Sequence, residues 1–150
     1  HTYTMNLFGE RQHKEKFVAL AIDLINRNQP VKIHAKLDKQ GNVEYVGQRH
    51  WLHARNAANA TLFLFKHGQA GGHYNVVGDV ELYNDDMVER LGELMGKKPR
   101  LQYVDLEKSR PGHDRRYSLD GSKLRDMGWQ QPITFDQSLT KTIDWMLSGE

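Results

Sequence analysis

β-branched and aromatic residues crowd Thr2–Phe8 and stop at Gly9, which predicts a strand. From about Glu15 the period changes. Phe17, Leu20, Ala21, Leu24 and Ile25 recur at helical spacing until Asn28-Gln29-Pro30 ends the pattern. Val31–His34 reads as a short strand, and the turn chemistry of Asp38–Asn42 before the alternating Val43–Val46 predicts a β-hairpin. Ala54–Lys66 reads as a helix with Ala58, Thr61, Leu62 and Phe65 on one face. Gly68 and the Gly71-Gly72 pair break it, and Tyr74–Val77 is apolar enough for a buried strand. Asn84 is then expected to cap a helix carrying Asp85 and Asp86 in its first turn and Met87, Leu91 and Leu94 inward. Leu101–Val104 is another short strand, and Ser118–Met127 a short helix closed by Gly128. Thr134 with Gln137 forms a capping box for a last helix carrying Phe135, Leu139, Ile143 and Met146. Helices alternate with short strands and no repeat is present, so the class is α/β, with too few strands to close a large sheet.

Composition narrows the chemistry. With 150 residues, 38% hydrophobic and 27% charged, the chain has the size and mixture of one globular domain. The absence of cysteine excludes disulfides, thiolate zinc sites and Cys nucleophiles, and suits a cytoplasmic location. No run approaches the roughly 18 apolar residues of a membrane span. The start, His1 to Asn6, lacks a signal peptide's basic and apolar regions and an initiator Met, so the chain reads as a piece of something longer. Net charge is +2 from 21 basic and 19 acidic residues, too balanced to argue for a nucleic-acid partner. Locally, Arg110, His113, Arg115 and Arg116 cluster, which favours a small anion site. The eight histidines show no HExxH or comparable spacing, so no metal is assigned, and His50 with His53 is expected at a strand edge.

Two strings are more specific than periodicity: Asn6-Leu7-Phe8-Gly9-Glu10-Arg11-Gln12, running on to Phe17, and Arg110-Pro111-Gly112-His113-Asp114-Arg115-Arg116-Tyr117. Arg49-His50-Trp51-Leu52-His53 and Tyr74-Asn75-Val76 lie between them in the expected order. With these, the chain resembles the C-terminal half of the extended short-chain dehydrogenase/reductases, and within them the nucleoside-diphosphate-sugar 4,6-dehydratases. The resemblance covers essentially all 150 residues and implies a small substrate-binding domain of helices and short strands, residues 1–9 being the last part of a Rossmann sheet whose NAD-binding half is missing. It implies that the parent enzyme passes hydride from the sugar's C4 to NAD, loses water across C5 and C6, and returns the hydride.

The catalytic parts of that family are not in this sequence. The one glycine cluster, Gly68–Gly72, precedes a strand where a dinucleotide fingerprint would follow one, and none of the six tyrosines has a lysine four positions on. The expectation is therefore a portion that binds a dTDP- or UDP-sugar, neither binds NAD nor catalyses alone, and works beside its missing half, with a homodimer possible. A stand-alone nucleotide-sugar binding module, or a fragment without independent role, is the alternative.

A diphosphate needs guanidinium groups and amides, and the resemblance places Arg49 and Arg110 on the phosphates, with Asn84 and His113 beside them. Asn6 stands on the strand that delivers a sugar-binding asparagine in relatives, which usually carry a second Asn where this chain has Leu7. Glu15, Lys16 and Phe17 match a segment that lies near the nucleotide, and His34 falls where relatives stack an aromatic ring on the base. Asp114, Arg115 and Arg116 are expected to tie a loop down, and Trp51, Trp129 and Trp145 to pack.

Overall fold

The computed structural model describes residues 1–109, 111–112 and 114–149. In chain order the elements are β1 (Thr2–Thr4), β2 (Leu7–Phe8), α1 (Phe17–Asn26), β3 (Pro30–Leu37), β4 (Val43–Val46) and β5 (Gln48–His53). They continue with α2 (Ala54–His67), β6 (Tyr74–Val76), β7 (Val80–Tyr83), α3 (Asn84–Met95) and β8 (Arg100–Asp105). The last are α4 (Leu106–Ser109), β9 (Arg116–Tyr117), α5 (Ser122–Asp126) and α6 (Phe135–Ser148). The α/β class is as the alternation predicts, and no helix among the described residues is long and apolar enough to cross a membrane.

The expected first strand is two strands in two sheets. Asn6 takes φ 48°, a left-handed conformation that asparagine tolerates better than most side chains, and the chain turns there. Before the turn β1 runs parallel to β6; after it β2 runs parallel to β5. The expected hairpin is present, β3 pairing antiparallel with β4 across a turn in which Asp38 Oδ1 accepts from the Gln40 and Asn42 amides, both at 2.8 Å. β3 also pairs parallel with β8 over six residues, and so extends well past His34.

β5 is the hub. It pairs with β2, antiparallel with β7 and parallel with β9, so His50 and His53 lie on an interior strand and not at a sheet edge. Its side chains alternate between two cores, as strand geometry requires. Trp51 faces the larger one, where α1, α3 and α6 bury Ile22, Leu91 and Leu139 against Ile33 and Ala35. Leu52 faces the smaller one, with Ala60, Tyr74, Val76, Leu124 and Trp129.

Several helix boundaries differ from the sequence expectation. α1 starts at Phe17, which leaves Glu15 and Lys16 in the turn before it. α5 starts at Ser122 because Asp120 carboxylate oxygens accept from the Ser122 amide and hydroxyl, both at 2.9 Å. On α2, Ala58, Thr61, Leu62 and Phe65 do share a face, but it is the solvent face, with Phe65 81% exposed. The helix buries Asn56 instead, whose amide donates to Gln131 Oε1 (2.7 Å) and to the Ile133 carbonyl (2.8 Å). The capping box at Thr134 and Gln137 forms as its spacing predicts.

Candidate functional site

One face of β5 presents Arg49, Trp51 and His53 in a row, all buried. At the far end His53 packs edge-on against Phe8, with ring centroids 5.3 Å apart. In the middle Phe17, the first residue of α1, stacks on Trp51 at 5.8 Å. At the near end the Arg49 guanidinium lies 4.3 Å over the Tyr117 ring.

Arg49 is 5% exposed, not a lone surface cation. Its Nη1 donates to the carbonyls of Gln48 (2.6 Å) and Arg115 (3.1 Å), and its Nη2 to that of Asp114 (3.1 Å). Burial, opposed by Tyr117 and Asp114, pulls its pKa below the ordinary arginine value. The guanidinium therefore organises the 114–117 segment as well as placing a positive charge in a nearly enclosed position.

Asn84 converges on the same place from α3. Its backbone amide donates to the Gly47 carbonyl at 2.9 Å. A Cβ at Gly47 would stand 3.2 Å from Asn84 Nδ2, 3.3 Å from Arg49 Nη2 and 3.4 Å from Arg49 Nη1. Glycine at 47 thus leaves the space in which an amide and a guanidinium, both donors, come together. Asn84 does not cap α3, however. Tyr83 is the N-cap, without a side-chain cap bond, and Asn84 is the first helical residue. Asp85 and Asp86 already complement that helix end, so the donor an anion would meet is the Asn84 amide side chain more than the helix dipole.

Asn6 carries a second signal besides its left-handed backbone. Its Nδ2 is buried and has no hydrogen-bond partner among the described residues, while its carbonyl accepts from the Leu52 amide at 3.3 Å. His34 lies on β3 opposite the inward row of Val31, Ile33 and Ala35, and its Nδ1 is 2.8 Å from Ser109 Oγ. The structure does not gather every candidate. Glu15 and Lys16 have exposed side chains in the loop before α1, and Glu15 interacts with its neighbour His13 at 3.8 Å. Arg110 and His113 lie outside the described residues.

The tying role expected of the residues after His113 is visible. Arg116 forms a two-point contact with the Glu81 carboxylate (2.6 and 2.8 Å), and Arg115 lies 3.8 Å over the Tyr45 ring. Gly47, Tyr117 and Ser109 are the site residues that sequence reasoning missed. Tyr117 closes the Arg-Arg-Tyr string and could have been paired with a buried arginine; a lone glycine before a strand and a serine before Arg110 gave no such signal. No group of three or more His, Asp or Glu that could hold a metal ion occurs among the described residues.

The model for "NAD dependent epimerase/dehydratase family" matches residues 2–77. A dTDP-glucose 4,6-dehydratase of Haemophilus influenzae is 36% identical over 156 residues, covering 97% of this chain and 44% of the relative. Among solved structures, dTDP-glucose 4,6-dehydratase from Bacillus anthracis in complex with NAD superposes with a TM-score of 0.82 at 27% identity, covering 99% of this chain and 44% of that one. UDP-glucuronic acid 4-epimerase from Bacillus cereus, in complex with UDP-glucuronic acid and NAD, shares the fold with a TM-score of 0.82 at 15% identity, over 99% of this chain and 45% of that one. The chain thus spans less than half the length of these relatives.

Proposed function

Because this chain belongs to the NAD dependent epimerase/dehydratase family, we propose that it forms the nucleoside-diphosphate-sugar-binding portion of a 4,6-dehydratase or epimerase and supplies binding and orientation, not the reacting groups. The observation that carries this reading is the convergence of Arg49 and Asn84 donors over Gly47. A diphosphate oxygen there would take charge-assisted hydrogen bonds, each contributing about 1.5–3 kcal/mol. Arg110 and His113 would complete the phosphate end, His34 would meet the base and Asn6 the sugar.

In this reading the residues of this chain do not form the dinucleotide-binding turn. Among the described residues no parallel strand leads through a glycine-rich turn into a helix N-terminus: β1 runs into the Asn6 turn, β6 into Gly78 and β7, and β5 and β8 pass straight into α2 and α4 without a glycine. In this reading NAD is held by a part of the parent enzyme outside this chain, and no step of the reaction is assigned to the residues described here.

Calorimetric titration with dTDP, with thymidine as the control, tests the reading. Binding of dTDP in the high micromolar to millimolar range, roughly −4 to −5.5 kcal/mol, with none of thymidine, is expected. Equal or absent binding of both would refute it.

A further inference from the structure

Ser109 joins two parts of the candidate site through a single hydroxyl. It is the last residue of α4 and directly precedes Arg110. Its Oγ lies 2.6 Å from the Asp105 carbonyl oxygen and 2.8 Å from His34 Nδ1. A hydroxyl has one proton, and a carbonyl oxygen can only accept, so the proton points to Asp105. The Ser109 oxygen must then accept from His34, which puts the imidazole proton on Nδ1 when the ring is neutral. This is the tautomer less favoured by histidine free in water, so the protein selects it.

The same bond fixes the ring plane. His34 sits on the outward face of β3 between Lys32 and Lys36, and its partner is held by the first turn after β8, the strand that pairs with β3. We propose that Ser109 is a positioning residue for base recognition: it sets the tautomer and orientation of His34, and so the surface on which the base of a nucleoside diphosphate rests. The proposal builds on the nucleotide-binding reading above.

The test uses the whole chain as wild type and as two variants of position 109, Ser109→Ala and Ser109→Thr. Long-range ¹H–¹⁵N spectra of the His34 ring report the tautomer directly. The Nδ1–H form is expected in the wild type and in Ser109→Thr, whose hydroxyl is retained, and it should give way to Nε2–H in Ser109→Ala. Affinities for dTDP and for inorganic pyrophosphate then separate base from phosphate. Ser109→Ala should weaken dTDP about three- to tenfold, the value of one hydrogen bond, leave pyrophosphate unchanged, and be rescued by Ser109→Thr. An Nε2–H wild type, a tautomer indifferent to Ser109→Ala, or equal weakening of both ligands would overturn the proposal. An intact Nδ1–H signature with no dTDP binding by the wild type would instead overturn the nucleotide reading, and the base role with it.

Discussion

His53 Nε2 stands 3.0 Å from Glu10 Oε2, and His53 Nδ1 accepts the backbone N–H of Arg55 at 3.2 Å, so the buried imidazole is neutral and both of its nitrogens are used. Glu10 also faces Arg55 at 3.3 Å. Burial pulls the His53 pKa below the ordinary histidine value, against the opposing charge of Glu10. Burial alone would raise the Glu10 carboxyl, but a hydrogen bond to its own backbone, the positive charge His53 acquires on acidification, the Arg55 charge and the hydrogen bond from His53 outweigh it and hold the pKa below the usual range. In both cases the unfolded chain takes up a proton at a higher pH than the folded one. Stability is therefore complete above about pH 6.5 and falls on acidification, first through His53 and then, below about pH 4.5, through Glu10. Urea unfolding between pH 4 and 8 checks this; a stability that stays flat or rises on going from pH 7 to 5 would contradict it.

Gly47→Ala should harm the site more than the fold. The added Cβ meets Asn84 Nδ2 and both Arg49 terminal nitrogens at 3.2–3.4 Å, so these donors must shift by a few tenths of an ångström. The expected result is a midpoint of unfolding changed by less than about 1 kcal/mol together with a roughly tenfold loss of dTDP affinity, measured on the same preparation. A variant that binds dTDP as the wild type does would separate Gly47 from the site.

Asn56→Ala tests how α2 is held. The buried amide bonds to Gln131 Oε1 and to the Ile133 carbonyl and N–H, and its loss leaves those groups in the interior without partners. A cost of about 2–3 kcal/mol is expected in chemical denaturation, with dTDP binding by the remaining folded protein unchanged.

Hydrogen exchange should grade the two parallel pairs. β1 is exposed at all three residues and pairs only with β6 among the described residues, whereas β3 is paired along both edges. The Thr2–Thr4 amides should exchange much faster than those of Val31–Ala35. Equal protection would show that β1 is covered in a way the present structure does not display.

Elements with strong periodicity or caps were legible in the sequence: α6 from its capping box, the β3–β4 hairpin from Asp38–Asn42, and α1 from its apolar stripe. What was not legible depends on distant partners. β9 is two residues long and is a strand only because Gln48 and Arg49 of β5 pair with it. The outward apolar face of α2 misleads because Asn56 is satisfied by residues some 75 positions away. At the candidate site, Arg49 and Asn84 were singled out through motif position, whereas Gly47, whose missing Cβ leaves the space both donors border, has no signature in one sequence. The expected cap at Asn84 failed because Tyr83 takes that place and Asn84 becomes the first helical residue.

The most direct test of the account is an NMR titration of the chain with dTDP, repeated for Asn84→Ala and Arg49→Lys. The conservative lysine keeps the charge near the carbonyls of Asp114 and Arg115 while removing the forked geometry. The largest wild-type shifts are expected on Gly47, Arg49, Asn84 and His34, and each variant should weaken binding by about tenfold or more while its spectrum remains that of the folded protein. Shifts confined to residues remote from Gly47, or affinity preserved in both variants, would contradict this expectation.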